Sequence, residues 1–125
     1  MPWELKSDRP IYAQLVEQIQ LMIVSGIYSP GSKLPSVRDM ASEAAVNPNT
    51  MQRALSQLES EGLLYSQRTS GRFVTEDVNM IAQIKKNLAV ELIHEFIEKM
   101  NRLGYENRQS IALLEQTIKE EEQNG

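Results

Sequence analysis

Between Asn47 and Arg53 the chain carries Asn47, Asn49, Thr50, Gln52 and Arg53. Asparagine and glutamine amides suit adenine, donating to N7 and accepting from N6. The threonine hydroxyl and the first amide suit phosphate oxygens. Arg38 lies upstream, and Arg68 and Arg72 flank a polar Thr69-Ser70-Gly71 turn. A guanidinium offers a bidentate fork to guanine O6 and N7, or a cation to a narrow minor groove. A second group, His94 among Glu91, Glu95 and Glu98, admits two readings. One is a metal or pH-sensing site. The other, which a single histidine favours, is a solvated, salt-bridged helix face.

Other chemistries find little support. The chain has 125 residues, no cysteine and one histidine. That excludes disulfides, thiol catalysis, Cys-ligated zinc and any multi-histidine metal site. No nucleophile–base arrangement, phosphate-cradling glycine loop or metal spacing is present, so neither an enzyme nor a cofactor or metal is expected. No stretch approaches 18 uninterrupted apolar residues, so no membrane partner is expected. The opening residues, Met1 to Leu5, lack a signal-peptide pattern, and a cytoplasmic location is expected.

Net charge is −4, unevenly spread. From Ser32 to Thr75 five basic residues face four acidic ones; from Glu76 onward ten acidic residues face six basic ones. The middle segment and the tail therefore have different partners. With few cations available, non-specific nucleic-acid affinity is moderate, and two half-sites are needed for useful binding.

The elements that must position these groups follow from periodicity. Ile11, Leu15, Ile19 and Ile23 recur every four residues after Pro10, and Gly26 ends that helix. Ser36-Val37-Arg38-Asp39 has capping-box form and opens a short helix facing Val37, Met40, Ala41 and Ala44 inward. Val46-Asn47-Pro48 interrupts it. Asn47 is a good N-cap and Pro48 a good first residue for a second helix, whose inner face is Met51, Ala54, Leu55 and Leu58. Two helices so closely spaced form a helix-turn-helix. Residues 63–67 and 72–75 read as strands around a polar, glycine-containing turn. Three helices and a hairpin make a winged helix-turn-helix, assigned to residues 1–76. In the remaining 77–125, Ile81, Ile84, Leu88, Leu92, Phe96 and Met100 hold a spacing of three or four. Ala89, Ile93 and Ile97 widen that face well beyond the arc one partner needs. Leu103-Gly104-Tyr105 breaks the helix, and Asn107 is placed to cap a last one carrying Ile111, Leu114 and Ile118.

Leu34-Pro35-Ser36-Val37-Arg38-Asp39-Met40-Ala41 resembles the LPSxRxLA signature of GntR-type bacterial transcription regulators. Pro10-Ile11-Tyr12, Gly26 to Lys33, Asn47 to Thr50, Glu61-Gly62-Leu63 and Gly71-Arg72-Phe73-Val74 resemble the same family in the same order. The short helical tail is similar to that of its YtrA-type subfamily. Two positions depart from the pattern. Pro48 stands where the family often has a guanine-reading Arg or Lys, and Thr69 replaces the first glycine of the Gly-x-Gly wing.

The resemblance implies a mainly α fold with a small β-hairpin, a winged helix-turn-helix followed by a helical dimerisation tail. It implies double-stranded operator DNA as partner, contacted by Ser36, Arg38, Asn47, Asn49, Thr50, Gln52, Arg53, Arg68, Thr69, Ser70, Gly71 and Arg72. Arg38 enters the same groove as the recognition helix. The tail would pair two copies through Ile81, Ile84, Leu88, Leu92, Phe96 and Met100. The expected function is a homodimeric transcription regulator, a repressor on an inverted-repeat operator, open to release by a small-molecule effector. A winged-helix scaffold that binds protein instead is the alternative, disfavoured because Asn49, Thr50 and Gln52 are polar rather than aromatic.

Overall fold

A computed structural model of the chain describes residues 3–125; Met1 and Pro2 lie outside it. The described residues form five helices and one two-stranded antiparallel sheet. In chain order these are α1 (Ile11–Val24), α2 (Val37–Ala44), α3 (Pro48–Ser60), β1 (Leu64–Gln67), β2 (Gly71–Val74), α4 (Val78–Arg102) and α5 (Asn107–Asn124). The chain divides into two compact units, one ending at Lys85 and one running from Lys86 to Gly125.

The first unit is built on the inner stripes of three helices. Leu15, Ile19, Met22 and Ile23 of α1 meet Met40 and Ala41 of α2 and Met51, Ala54, Leu55 and Leu58 of α3, all essentially buried. Leu34, Leu63, Leu64 and Val74 close this core from the hairpin side. The helix starts and stops are those that local chemistry dictates. Ser36 caps α2 by accepting from the Asp39 N–H at 3.1 Å, and Asn47 caps α3 by accepting from the Asn49 N–H at 2.8 Å. Each cap satisfies a donor that the first helical turn leaves unpaired. Between α2 and α3 the chain reverses through Ala45, the sole non-glycine residue with positive φ (57°) among those described. The Val46 N–H then returns to the Ala41 carbonyl at 2.9 Å. Past α3, Gly62 takes φ +85° and the Leu63 N–H reaches back to the Leu58 carbonyl. This left-handed stop turns the chain directly into β1.

The hairpin pairs Leu64 with Val74, Tyr65 with Phe73, Ser66 with Arg72 and Gln67 with Gly71. Tyr65 and Phe73 stack across the strands with centroids 5.7 Å apart. A single bridge, Lys33 to Phe73, adds a third backbone segment to the sheet, with the Leu34 N–H donating to the Arg72 carbonyl and the Val74 N–H to Ser32. The sheet therefore ties the wing to the segment that leads into α2.

Ahead of α1, residues 4 to 9 lie back along that helix. Buried Gln14 accepts from the Lys6 N–H and donates to the Lys6 carbonyl, both at 2.7 Å, and donates to the Arg9 carbonyl at 2.9 Å. One turn on, Gln18 accepts from the Glu4 N–H at 3.2 Å and donates to the Glu4 carbonyl. Two glutamines four apart thus serve as pairing partners for an extended segment whose residues four and six face the helix.

In the second unit, α4 continues to Arg102 and Gly104 (φ +98°) reverses the chain. α5 takes Glu106 as its N-cap, one residue earlier than the expected Asn107, because the Gln109 side chain turns back to accept the Glu106 N–H at 2.9 Å. Asn107 instead accepts from the Asn101 amide at 3.2 Å, linking the two helix ends. Every residue of α5 except Ser110 is exposed.

Two substitutions test this account of the first unit. Ala45→Gly removes a left-handed strain worth about 1–2 kcal/mol for an L-residue, offset by roughly 0.5–1 kcal/mol of added chain entropy. Ala45 is exposed, so no packing is lost, and thermal melts should show a small gain in stability; a destabilised glycine variant contradicts the strain. Gln14→Leu strands the Lys6 and Arg9 backbone groups and should cost about 1–3 kcal/mol. Urea midpoints and faster hydrogen exchange at the Lys6 amide provide the check; unchanged protection there would mean that the segment is held by something other than Gln14.

Candidate nucleic-acid interface

Burial of Met51, Ala54, Leu55 and Leu58 leaves a polar stripe on the opposite side of α3. Asn49, Gln52, Arg53 and Ser56 are exposed there, and Thr50 is half-buried at its edge. Asn47 and Pro48 are exposed at the helix start. The capping geometry leaves defined chemistry. Asn47 spends its amide oxygen on Asn49, which frees its NH2 to donate outward. Ser36 spends its oxygen on Asp39 and keeps its hydroxyl hydrogen. Both residues are thus presented as donors, the polarity that phosphate oxygens require. The positive end of the α3 dipole adds to that preference.

Arg38 is exposed on α2 and forms no ion pair among the described residues, whose pairs are Arg9–Glu17 and Arg72–Glu59. Arg53 does not pair with Glu43. Its guanidinium carbon lies 3.6 Å from the centre of the Tyr12 ring, a cation–π contact that joins α3 to the first turn of α1. Tyr12, with Pro10, Ile11, Asn49 and Thr50, lines a shallow hollow of about 440 Å3 beside Arg53. Sequence reasoning did not select Tyr12, because a tyrosine between apolar residues in a helix looks like part of the core stripe. Past the other end of α1, the Tyr28 phenol is pushed above its usual range by burial first and by Glu43 second.

The wing tip is Arg68-Thr69-Ser70, all exposed, closed by Ser70 N–H to the Gln67 carbonyl at 3.1 Å. Thr69 has no positive φ, so the glycine usual at that place is not required for this turn. Gly71 is required. It has φ +105°, and a Cβ there would stand 3.1 Å from the Lys33 Cε. Arg72 is not at the tip. It sits on β2 opposite Ser66, and its half-buried guanidinium turns to α3, bonding Glu59 at 3.1 Å and Gln52 at 3.3 Å. Glu59, also absent from the sequence-based site, is what draws it there. A concavity of about 720 Å3 separates the wing from the start of α2, with Lys33, Ser36, Arg68 and Arg72 among its walls. The wing and the start of α2 therefore face a common hollow, and the stripe of α3 is joined to the wing through Arg72 and Gln52.

The tail stripe behaves unevenly. Ile81 is buried within the first unit and is a core residue there, not a free tail anchor. Ile84, Leu88, Phe96 and Met100 are half-buried, and Leu92 is 65% exposed. Around it Val90 and Ile93, and on α5 Ile111, Leu113, Leu114 and Ile118, are exposed as well. His94, Glu91, Glu95 and Glu98 are all exposed, and no cluster of metal-ligating side chains is present among the described residues. No helix among the described residues is long and apolar enough to cross a membrane.

Residues 11–74 match the model of the bacterial regulatory proteins of the gntR family. An uncharacterized HTH-type transcriptional regulator of Bacillus subtilis, YhcF, is 39% identical over 101 residues, spanning 81% of this chain and 84% of its own. The HTH-type transcriptional repressor YtrA of the same organism is 33% identical, covering 77% and 88%. Among solved structures, a GntR family transcriptional regulator from Listeria monocytogenes superposes with TM-score 0.84 at 38% identity, over 90% of this chain and 98% of that one. The DNA-binding domain of AraR in complex with operator ORX1 superposes with TM-score 0.52 at 33% identity, over 60% and 92%.

Proposed function

The chain belongs to the GntR family of bacterial regulatory proteins, a family of transcription regulators and not of enzymes, and from that premise we propose that it is a homodimeric repressor reading an inverted-repeat operator. The observation that carries the reading is the exposed polar stripe of α3, together with the exposed, unpaired Arg38 on α2. In this reading residues 1–76 bind DNA and residues 77–125 pair two copies.

Asn49 and Gln52 meet base edges in the major groove, and Arg38 supplies a guanine fork from α2. Asn47, Thr50 and Ser36 donate to phosphate, Arg53 leans from Tyr12 toward the backbone, and Arg68 with Thr69, Ser70 and Gly71 forms the wing contact. The AraR domain in its operator complex and the repressor designation of YtrA support both the ligand and the direction of regulation.

The tail supports the second half of the reading. Helices normally bury an apolar arc, yet Leu92, Ile93, Ile111, Leu114 and Ile118 stay exposed in a single chain. A second copy, related by a two-fold axis, covers these faces with identical ones. Two-fold symmetry in the protein then imposes an inverted repeat on the operator.

Arg38→Ala tests the groove assignment. It should weaken operator binding by about 1–3 kcal/mol through loss of a bidentate contact, with an unchanged melting curve; parent-like affinity in gel shifts would place Arg38 outside the interface. Leu92→Asp tests the tail. Sedimentation at micromolar concentration should give a dimer for the parent and a monomer for the variant, which keeps a folded winged helix but loses operator binding. A parent that sediments as a monomer of about 14 kDa and binds one non-palindromic half-site tightly defeats the dimer.

A further inference from the structure

Arg72 connects the wing to the recognition helix by a chain of hydrogen bonds. Its Nε donates to Glu59 Oε1 at 3.1 Å, and its Nη1 donates to Gln52 Oε1 at 3.3 Å. Ser66, its partner across the hairpin, donates to the same Glu59 oxygen. Gln52 Nε2 in turn donates to Ser56 Oγ at 3.3 Å. The Arg72 side chain is only 16% exposed, so the guanidinium is held between strand and helix.

A guanidinium has donors and no acceptor. The atom of the Gln52 amide that faces it must therefore be the oxygen. A free glutamine can rotate its amide by half a turn and exchange donor for acceptor. Gln52 cannot do so without setting an NH2 against the NH of Arg72. One of its two Nε2 hydrogens goes to Ser56, and the other remains for a ligand.

We infer that Arg72 is a positioning residue that commits Gln52 to donating, and so makes the wing a determinant of base selectivity on α3. This rests on the reading of α3 as the helix that meets base edges. In the major groove purine N7, guanine O6 and thymine O4 accept a hydrogen bond, whereas cytosine offers only its N4 donor. With one of its two Oε1 lone pairs held by Arg72, Gln52 presents its free Nε2 hydrogen to the contacted base, and a cytosine there sets donor against donor. Glu59 is the second member of the relay, because it fixes the guanidinium that fixes the amide.

The test is binding of the full-length parent, Arg72→Met, Glu59→Gln and the double variant Glu59→Gln/Arg72→Met to an operator selected by the parent from random duplexes. Each operator base is then exchanged in turn and affinities are taken across a salt series. The double variant leaves no unpaired carboxylate, and thermal melts confirm that it folds. The parent should discriminate against cytosine at one position per half-site by roughly five- to hundredfold. In all three variants that single penalty should collapse, the other positions and the salt slope staying as in the parent. Gln52→Ala should lose the same penalty, and Arg72→Met should then add nothing at that position.

Three results overturn the relay. Uniform weakening by Arg72→Met with a salt slope reduced by about one would make Arg72 a direct phosphate contact. Tighter binding by Glu59→Gln would mean that the carboxylate merely competes with DNA for the cation. A penalty that survives in every variant would show that Gln52 is oriented without Arg72. A parent that selects no sequence removes the DNA-binding reading itself, and the relay falls with it.

Discussion

Everything on the candidate interface depends on how α3 is buried. Its inner stripe of Met51, Ala54, Leu55 and Leu58 is at most 1% exposed. With about 100° between successive residues, sealing that stripe fixes which side chains stand on the outside. Asn49, Gln52, Arg53 and Ser56 have no alternative but to face away from the core. The hydrophobic term that holds the helix, about 1.5–3 kcal/mol for each large side chain buried, thus also orients its polar groups. The caps then set where the helix begins, and Pro48 at its first position removes a donor that would have no partner. Rotation and start are the two quantities a groove-reading helix must control, and apolar packing sets the first while Asn47 sets the second.

Much of this was legible because it is periodic or local. The three-helix core, the Ser36 and Asn47 caps, the hairpin and the break at Gly104 all have signatures within a few residues of sequence. What escaped was side-chain pairing across distance. Gln14 and Gln18 hold a segment eight and fourteen residues away, and nothing in a glutamine marks it as a backbone partner. Arg53 and Tyr12 meet across two helices. Arg72 and Glu59 are thirteen residues apart, and their meeting follows from the hairpin folding back on α3. Ile81 continues the spacing of the Ile84 and Leu88 series, yet it is buried within the first unit. Periodicity identifies a buried face but not which body buries it. The end of α5 shows the finer limit, since Glu106 rather than Asn107 caps it through the reach of Gln109.

The second unit poses a different physical problem. A helix pair that exposes Leu92, Leu103, Ile111 and Ile118 pays the cost of ordered backbone with little apolar burial in return. Most helical stability in proteins comes from packing an apolar face rather than from propensity. The capping of α5 and the Asn101–Asn107 bond stabilise the turn between the helices, but these are contributions of order 1 kcal/mol each. The two-fold pairing proposed above would resolve the deficit, because the same residues that are a liability in one chain become a core when duplicated. Ten acidic against six basic residues from Glu76 onward keep that segment from competing for DNA.

Charge on the winged helix is correspondingly sparse and much of it is already engaged. Arg72 is paired with Glu59, and Arg53 is held over Tyr12. Unpaired cations such as Arg38 and Arg68 are few. A protein with few phosphate contacts gains limited affinity from counterion release, so its expected non-specific binding is moderate and its salt dependence shallow. In the dimer proposed above, affinity given up at any one half-site would be recovered by joining two. Sparse charge also shifts the burden of recognition onto donors and acceptors whose orientation is fixed before the ligand arrives, because a group already in place loses no rotamer entropy on binding. Asn47 held by the helix it caps, and Gln52 held between Arg72 and Ser56, are such groups. The paired arginine is therefore not a cation lost to the interface. Its charge is neutralised, and what remains useful is the rigid direction of its donors.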